Sequence, residues 1–263
     1  MTTTCLLLDA AIWNAHPCFD DLIHTPGANA LYGDLPAPEA ARLGPWLLDA
    51  DAAEAVLAGD DTADTLPWRY GLSRLTTDGN QADLVHHLEG QRSLGMADGE
   101  RYYLRFADTR ALATLERVLK PAQMRQLKGP VTTWTYTDRF GQPCEFGSGV
   151  PAQAGRQAML VLDDEQAAHL LELQLAGTLA DDLSAASGGE LAPHLEAEDY
   201  RHVEACAAFV LEHGIDSFEV QRHLTTVNVQ TGGQLLADVD FLAQVQTLRA
   251  SRRWQELMRW CAM

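Results

Sequence analysis

Between Trp68 and Trp134 the chain twice passes from an alternating run to a helical stripe. Arg69 to Thr76 (RYGLSRLT) alternates apolar and polar positions, the period of a half-buried strand. Asp78-Gly79 breaks the run, and Gln81 to Leu94 then brings Leu84, Val85 and Leu88 onto one helical face. After Asp98-Gly99, Glu100 to Ala107 (ERYYLRFA) reads as a second strand, with Tyr102, Leu104 and Phe106 on one face and Tyr103 and Arg105 on the other. Asp108 stands at an N-cap position, where its carboxylate accepts free backbone N–H groups of the next turn. The stripe of Ala111, Leu112, Leu115, Val118 and Leu119 follows, and Pro121 interrupts it.

Either side of this strand–helix–strand–helix module the periodicity differs. Upstream, Cys5 to Leu8 reads as a buried strand, and His16 to His24 as a short helix opened by Pro17. Leu35 to Leu43 and Asp49 to Leu57 read as two further helices, the second with acidic residues at its favourable N-terminal end. Val131 to Tyr136 is β-branched and aromatic, as strands are, and the Gly/Pro-rich stretch 138–155 is expected to be a hairpin followed by a linker. Beyond it the pattern is helical throughout. Asp163-Asp164-Glu165 opens a helix carrying Ala168, Leu171, Leu175 and Leu179, broken at 185–190. Glu196 to His213 has Tyr200, Val203, Ala207, Val210 and Leu211 inward and Gly214 as its stop. Asp216 to Glu219 has capping-box spacing, and helices are expected to Val229, over Leu235–Leu248 and over Ser251–Trp260. The pattern predicts an α+β fold: a mixed strand and helix lobe over residues 1–150 and an all-helical lobe over 151–263.

Composition narrows the function classes. An apolar fraction of 46% with 21% charged residues is that of an ordinary globule, and no apolar run approaches the ~18 residues of a membrane span. The start of the sequence lacks a basic leader, and Asp9 cuts its apolar run, so no signal peptide is expected. The five cysteines are odd in number and not closely paired, which points to reduced thiols and a cytoplasmic protein. A net charge of −18 argues against nucleic acid and anionic membranes as partners. No lysine occurs from residue 151 onward, yet Arg249, Arg252, Arg253 and Arg259 crowd the end of the sequence.

Candidate chemistry is sparse. His194, Glu198, His202 and Cys206 follow at i, i+4 steps, a spacing that zinc sites use, but Pro193 starts the helix after His194 and Cys206 borders the apolar face. No metal site and no cofactor are therefore expected. His86 and His87 diverge by about 100° on a helix and read as surface or rim residues. Gly147-Ser148-Gly149 lacks the strand-to-helix setting of a nucleophile elbow, and no phosphate-cradling or dinucleotide fingerprint appears. No catalytic residues are assigned, and the chain is expected not to be an enzyme.

The run from Gly99 to Trp134 (GERYYLRFADTRALATLERVLKPAQMRQLKGPVTTW) resembles the adaptor-chaperone domain of bacterial type VI secretion systems, which fits toxic effectors onto the secretion spike. Arg105, Phe106, Asp108, Arg110, Gly129, Pro130 and Trp134 match that family's strand-to-helix junction and its later Gly-Pro and tryptophan. The segments Leu6–Asp9 and Leu43–Leu47 are similar too, so the resemblance spans roughly residues 5 to 137. Thr109 stands where the family usually has proline, and Tyr70 where it often has tryptophan before Gly71. The resemblance implies a chaperone and adaptor that binds a cognate effector and loads it onto the trimeric valine-glycine-repeat spike protein (VgrG). Which lobe holds which partner stays open; analogy favours the N-terminal lobe for the effector.

Candidate contact residues follow from both ends of the chain. At the junction, Arg105 can bridge carboxylates of neighbouring elements while Asp108 caps, with Arg105 and Arg110 also candidates for the partner. At the end, Trp254, Leu257, Met258 and Cys261 make an apolar face with Trp260 beside it and arginines flanking. That face either docks on its own lobe or anchors a partner through Arg253, Trp254 and Trp260, since Trp and Arg are enriched in interface hot spots. Two other classes remain as alternatives: an immunity-type inhibitor of a toxin, and a hydrolase of the same pathway.

Overall fold

The computed structural model describes residues 2–33, 38–65, 68–153, 159–186 and 197–261. Its central strand is β1 (Thr3–Asp9), in which Cys5, Leu6, Leu7 and Leu8 are all buried. A strand covered on both faces needs apolar side chains at consecutive positions, which is why this one reads as a run rather than an alternation. It pairs antiparallel with β3 (Pro45–Asp49) on one side and β4 (Leu72–Thr77) on the other, Leu7 lying opposite Leu47 and Ser73. The short β2 (Asn29–Ala30) extends the sheet beyond β3, while β7 (Val131–Thr137) and β8 (Pro143–Glu145) extend it beyond β4. A second sheet has β5 (Ser93–Met96) between β6 (Arg101–Tyr103), antiparallel, and β9 (Leu160–Leu162), parallel.

Eight helices accompany these strands among the described residues. They are α1 (Ala10–Trp13), α2 (Phe19–Ile23), α3 (Pro38–Leu43), α4 (Ala50–Leu57), α5 (Gln81–Gly90), α6 (Thr109–Val118), α7 (Pro121–Lys128) and the start of α8 (Asp164–Ala186). Acidic and amide side chains set their starts. Asp9 caps α1, Asp49 caps α4, Asn80 caps α5 and Asp108 caps α6, each carboxylate or amide oxygen accepting a first-turn N–H. Asp163 and Gln166 form a reciprocal pair at the start of α8, the Asp163 carboxylate accepting from the Gln166 N–H at 2.9 Å and the Gln166 amide oxygen accepting back at 3.3 Å. Then come α9 (Ala197–His213), α10 (Phe218–Gln230), α11 (Val239–Arg249) and α12 (Gln255–Cys261). The fold is α+β, strands and helices first and helices alone afterwards. The chain divides into two units, Met1–Ala167 and Ala168–Met263, with the division inside α8.

Several boundaries differ from the periodicity, each for a tertiary reason. Residues 68–71 form a 3₁₀ turn rather than the start of a strand. A Cβ at Gly71 would stand 2.7 Å from the Trp13 ring, and the Trp13 indole N–H donates to the Trp68 carbonyl at 2.9 Å. The helix after Asn80 stops at Gly90, so Leu94 lies in β5. Strand β6 ends at Tyr103, and Leu104 and Phe106 are buried beyond it. Pro121 opens α7 rather than merely ending α6, since its missing N–H costs nothing at a first helical position. Helix α2 begins at Phe19, after Cys18 rather than at Pro17. Strand β9 interrupts what the pattern gave as helix, and three residues are too few for a period-2 signal.

In the second unit, α8 keeps Leu175 and Leu179 of the expected stripe inward but not Ala168 and Leu171. Leu170, Leu173, Ala176, Leu179 and Ala180 are buried, whereas Leu171 is 62% exposed and Ala168 is exposed. Leu211 of α9 is also exposed. Helix α10 starts at Phe218 with Ser217 at its cap and no side-chain cap bond, so the Asp216–Glu219 box does not form. With Ser217 at the cap, the third helical position is Val220, which has nothing to accept the reciprocal bond. A 3₁₀ turn at Gln234–Ala237 precedes α11, because Asp238 caps at that point and accepts from the Asp240 and Phe241 N–H groups. Val210, Val220, Leu224, Phe241, Val245, Trp254 and Leu257 share one core, so α12 docks on its own unit. Of the break expected at 185–190, residues 185 and 186 still belong to α8 and 187–190 lie outside the described residues, as do residues 154 and 155 at the end of the expected linker stretch.

Packing in the first unit gives its own test. Gly129 has φ +53°, and a Cβ there would stand 2.2 Å from the buried His87 ring, which bonds to the Leu127 carbonyl. Gly129→Ala is expected to lose about 2–4 kcal/mol in chemical denaturation. Gly99→Ala, at φ +91° in open space, loses clearly less in the same assay.

Candidate functional site

The sequence places an arginine three residues before a capping aspartate, and the fold adds a second carboxylate from far along the chain. Asp9 ends β1 and caps α1, its Oδ1 accepting from the Ala11 N–H at 2.9 Å. Its Oδ2 accepts from the Arg105 guanidinium at 3.1 Å. The same Arg105 nitrogen lies 3.3 Å from Oδ2 of Asp108. Arg105 therefore joins the end of the central strand to the start of α6, with 54% of its own side chain exposed. Both carboxylates are buried, at 5% and 4% exposure. Burial pushes the Asp9 carboxyl above its ordinary range, and the Arg105 charge opposes that push.

Arg110 completes the cluster. Its backbone N–H and its Nε donate to Oδ1 of Asp108 at 3.0 and 3.1 Å, and its Nη2 donates to Oδ2 at 3.0 Å. Two parallel charge-assisted bonds fix the guanidinium in orientation as well as distance. The guanidinium also lies 5.2 Å above the Tyr70 ring, and the Tyr70 hydroxyl donates to the Arg139 carbonyl at 2.9 Å. Thr109 is fully buried at the first position of α6, where its hydroxyl donates to the Thr137 carbonyl at 2.8 Å. The rest of the motif is structural. Trp134 is fully buried against Phe106 and Phe146, and its indole donates to Ser73 Oγ at 3.0 Å. The Pro130 carbonyl accepts from the Thr77 hydroxyl at 2.9 Å, tying β4 to the Gly129-Pro130 turn.

Around Arg105 lies a surface of arginine and tyrosine. Tyr103 is 69% exposed, its ring 6.1 Å from that of Tyr32, and Arg92 sits 5.9 Å over the Tyr32 ring. Burial pushes the Tyr32 hydroxyl up to about 12, while the charges of Arg92 and Arg105 pull the other way, so both cations lie near it. Arg92 also lines a cavity of about 400 Å³ with His86, Glu89, Ser93, Arg101 and Met159. Arg and Tyr are the residue types that carry binding energy at protein interfaces, because they combine large contact area with oriented hydrogen bonds.

The second unit holds the other candidates. Trp254 is buried, and its indole donates to the Gly214 carbonyl at 3.1 Å. Trp260 is half-buried, 5.7 Å from the Phe241 ring. Arg253 is exposed and pairs with Glu256 at 3.0 Å. A shallow polar cavity of about 380 Å³ lies here, its lining including Asp216, Arg252, Arg253, Trp254, Glu256 and Arg259. His194 lies outside the described residues, and burial pushes the Cys206 thiol up to about 11. Ser148 is exposed on its turn, away from any strand-to-helix junction.

Three sets of residues escaped the sequence. His87 is 4% exposed rather than on the rim; burial lowers its pKa, and its Nδ1 has no hydrogen-bond partner among the described residues. Lys128 is 1% exposed and donates to the Gly147 and Val150 carbonyls at 3.2 and 3.0 Å. His16, Cys18 and Asp60 have donor atoms within 4.8 Å of one another. The one local signal for this set is the His-x-Cys spacing at 16 and 18, and nothing along the chain connects Asp60 to it.

Residues 6–126 match the model of a family described as a domain of unknown function, DUF4123. The match covers a little under half of the chain, from β1 into α7, and so contains Asp9, Arg92, Tyr103, Arg105, Asp108 and Arg110. No curated protein and no solved structure matches the chain. No helix among the described residues is long and apolar enough to cross a membrane.

The cluster predicts a pH signature. Removing Arg105 takes away a cause that lowers the Asp9 pKa, so the folded-state pKa rises further above its unfolded value near ~3.9. A raised carboxyl costs stability while ionised and stops doing so once protonated. Arg105→Ala is expected to lose about 1 kcal/mol at neutral pH, a figure discounted for the exposure of that side chain. The loss shrinks as the pH falls through the folded pKa of Asp9, and an Asp9→Asn background removes the pH dependence in urea titrations. Asp108→Ala, which loses the cap, costs about 1–2 kcal/mol by the same measurement.

Proposed function

We propose that this chain is a non-enzymatic adaptor-chaperone that works in the cytoplasm, binding a cognate type VI effector and loading it onto the valine-glycine-repeat spike protein. The observation that carries the reading is the Arg–Tyr face, half-buried Arg92 and Tyr32 beside exposed Tyr103 and Arg105, with Arg105 held by the buried carboxylates of Asp9 and Asp108. That face lies within the stretch matching the family model, which also contains Arg105, Phe106, Asp108 and Arg110, the strand-to-helix junction on which the sequence resembles the adaptor domain. A chaperone of this kind covers an apolar or marginally folded client segment, removing surface from water at ~25 cal/mol per Å². Binding only the assembled form of the client shifts the client's own equilibrium toward that form.

The arrangement suits such a task. Strand β6 is an edge of its sheet, and Tyr102 and Tyr103 are both exposed on it. An extended client segment beside that edge gains main-chain hydrogen bonds from the strand and side-chain contacts from the tyrosines and arginines. We assign the effector to this face and leave the spike to another surface. A second reading, an inhibitor of a basic toxin, draws on the net charge of −18.

Capture from the native host, read by mass spectrometry, separates the readings. An adaptor retains one effector together with the spike protein and turns over no substrate. Tyr103→Ala, which removes an exposed ring, is expected to weaken effector capture about tenfold with an unchanged unfolding midpoint. An inhibitor instead holds only a toxin's catalytic domain, and loses it steeply as salt rises. Effector capture indifferent to both Tyr103→Ala and Arg92→Ala rules out this face, and turnover lost on changing a single acidic or imidazole group rules out the adaptor.

A further inference from the structure

We propose that His16, Cys18 and Asp60 form a binding site for one divalent transition metal of the zinc class. Two separate turns bring the three together. The chain leaves α1 through a turn in which the His16 N–H donates to the Trp13 carbonyl at 2.8 Å. Pro17 restricts the His16 backbone, and Cys18 follows at the cap of α2. Asp60 sits in the turn after α4, its N–H donating to the Leu57 carbonyl at 3.0 Å.

The carboxylate of Asp60 is divided between two tasks. Its Oδ1 accepts from the Thr62 N–H at 2.9 Å and from the Thr62 hydroxyl at 2.5 Å, which locks the turn and the carboxylate plane. Its Oδ2 faces the other two donors, 3.2 Å from Cys18 Sγ and 3.7 Å from His16 Nε2. Tetrahedral zinc, with bonds of about 2.0–2.3 Å to N, O and S, places neighbouring donors roughly 3.3–3.6 Å apart. The two separations from Asp60 Oδ2 bracket that range, and all three donor atoms lie within 4.8 Å of one another, so small side-chain shifts close the set around one ion.

Burial and charge agree with the geometry. The His16 side chain is fully buried, 4.5 Å from the Trp13 ring and 4.8 Å from the Trp68 ring, while Asp60 keeps 20% exposure. The indoles close the rear of the cluster, and Cys18 and Asp60 leave it open to solvent. Sulfur, nitrogen and oxygen donors together select a borderline-soft divalent cation over calcium or magnesium, which prefer oxygen alone. In the metal-free chain the thiol proton lies between Cys18 Sγ and Asp60 Oδ2. The cation takes that position and the proton leaves to solvent. The imidazole proton moves from Nε2 to Nδ1, at the expense of the 3.2 Å contact that Nδ1 accepts from the Cys18 N–H. Three protein donors leave a fourth position for water or for the Thr62 hydroxyl, 3.2 Å from His16 Nε2. The metal then pins the turn after α1 to the turn after α4. This site stands apart from the adaptor reading and needs no client.

The test uses the full chain, treated with chelator and titrated with cobalt(II) and zinc(II). The expected result is one equivalent bound per chain, a near-ultraviolet sulfur-to-cobalt charge-transfer band and a higher unfolding midpoint with zinc. Cys18→Ser abolishes the band although Cys5, Cys144, Cys206 and Cys261 remain, and Asp60→Asn weakens zinc binding tenfold or more. In the unaltered chain, zinc slows alkylation of Cys18, read by peptide mass spectrometry, so the assignment does not depend on the variants folding. Failure to retain metal, a band that survives Cys18→Ser, zinc affinity unchanged by Asp60→Asn, or alkylation of Cys18 indifferent to zinc overturns the site.

Discussion

The first unit depends on one cation placed between two buried carboxylates. Asp9 and Asp108 each cap a helix, and capping needs the ionised oxygen close to backbone N–H groups. Bringing both into one buried region sets two negative charges against each other, and the charge of Asp108 does push the Asp9 pKa upward. Arg105 relieves this by reaching both, and Arg110 adds a bidentate pair on Asp108. Breaking such an arrangement on one side leaves a buried charge uncompensated, which costs more than the arrangement itself gains. The cluster is therefore better understood as fixing where β1 and α6 meet than as a source of net stability. What it fixes includes the direction in which the following surface faces.

Local features were legible in the sequence and long-range ones were not. The Asp108 cap and the Leu112, Leu115 and Val118 face follow from interactions within a few residues, and both stand as read. The run through Leu8 and the strand through Trp134 were equally plain. The partner of Arg105, by contrast, is Asp9, which no spacing rule connects to it. His87 looked like a rim residue because a lone histidine on a helix carries no sign of what will cover it. Gly129, at positive φ, lets the backbone come against that ring, and the contact exists only in three dimensions. Helix α8 shows the other kind of ambiguity. Leucines at 170, 171, 173 and 175 support more than one apolar face, and tertiary contact chose the one without Leu171.

Residue type and residue availability also part company. The chain end attracted notice for its tryptophans and arginines, the types enriched in interface hot spots. Trp254 uses its ring in its own core and its indole N–H on the Gly214 carbonyl, while Arg253 pairs with Glu256. In the first unit the same chemistry is displayed outward. Tyr103 and Arg105 keep more than half of their side chains in water, and buried neighbours hold Arg105 in place. A side chain already ordered loses less entropy when a partner arrives, so equal contacts yield more affinity there.

A strongly acidic protein that presents arginines also separates long-range from short-range electrostatics. At physiological ionic strength the Debye length is about 8 Å, so the summed charge of −18 acts weakly on a partner already in contact. At Tyr32 the charges of Arg92 and Arg105 act against burial and against the charge of Asp9. The carboxylates that hold Arg105 are themselves buried and already hydrogen-bonded, which leaves the outer side of the guanidinium directed at solvent. The buried pair thus positions the cation without cancelling its use, and the framework of the fold and the chemistry of the surface meet in that single side chain.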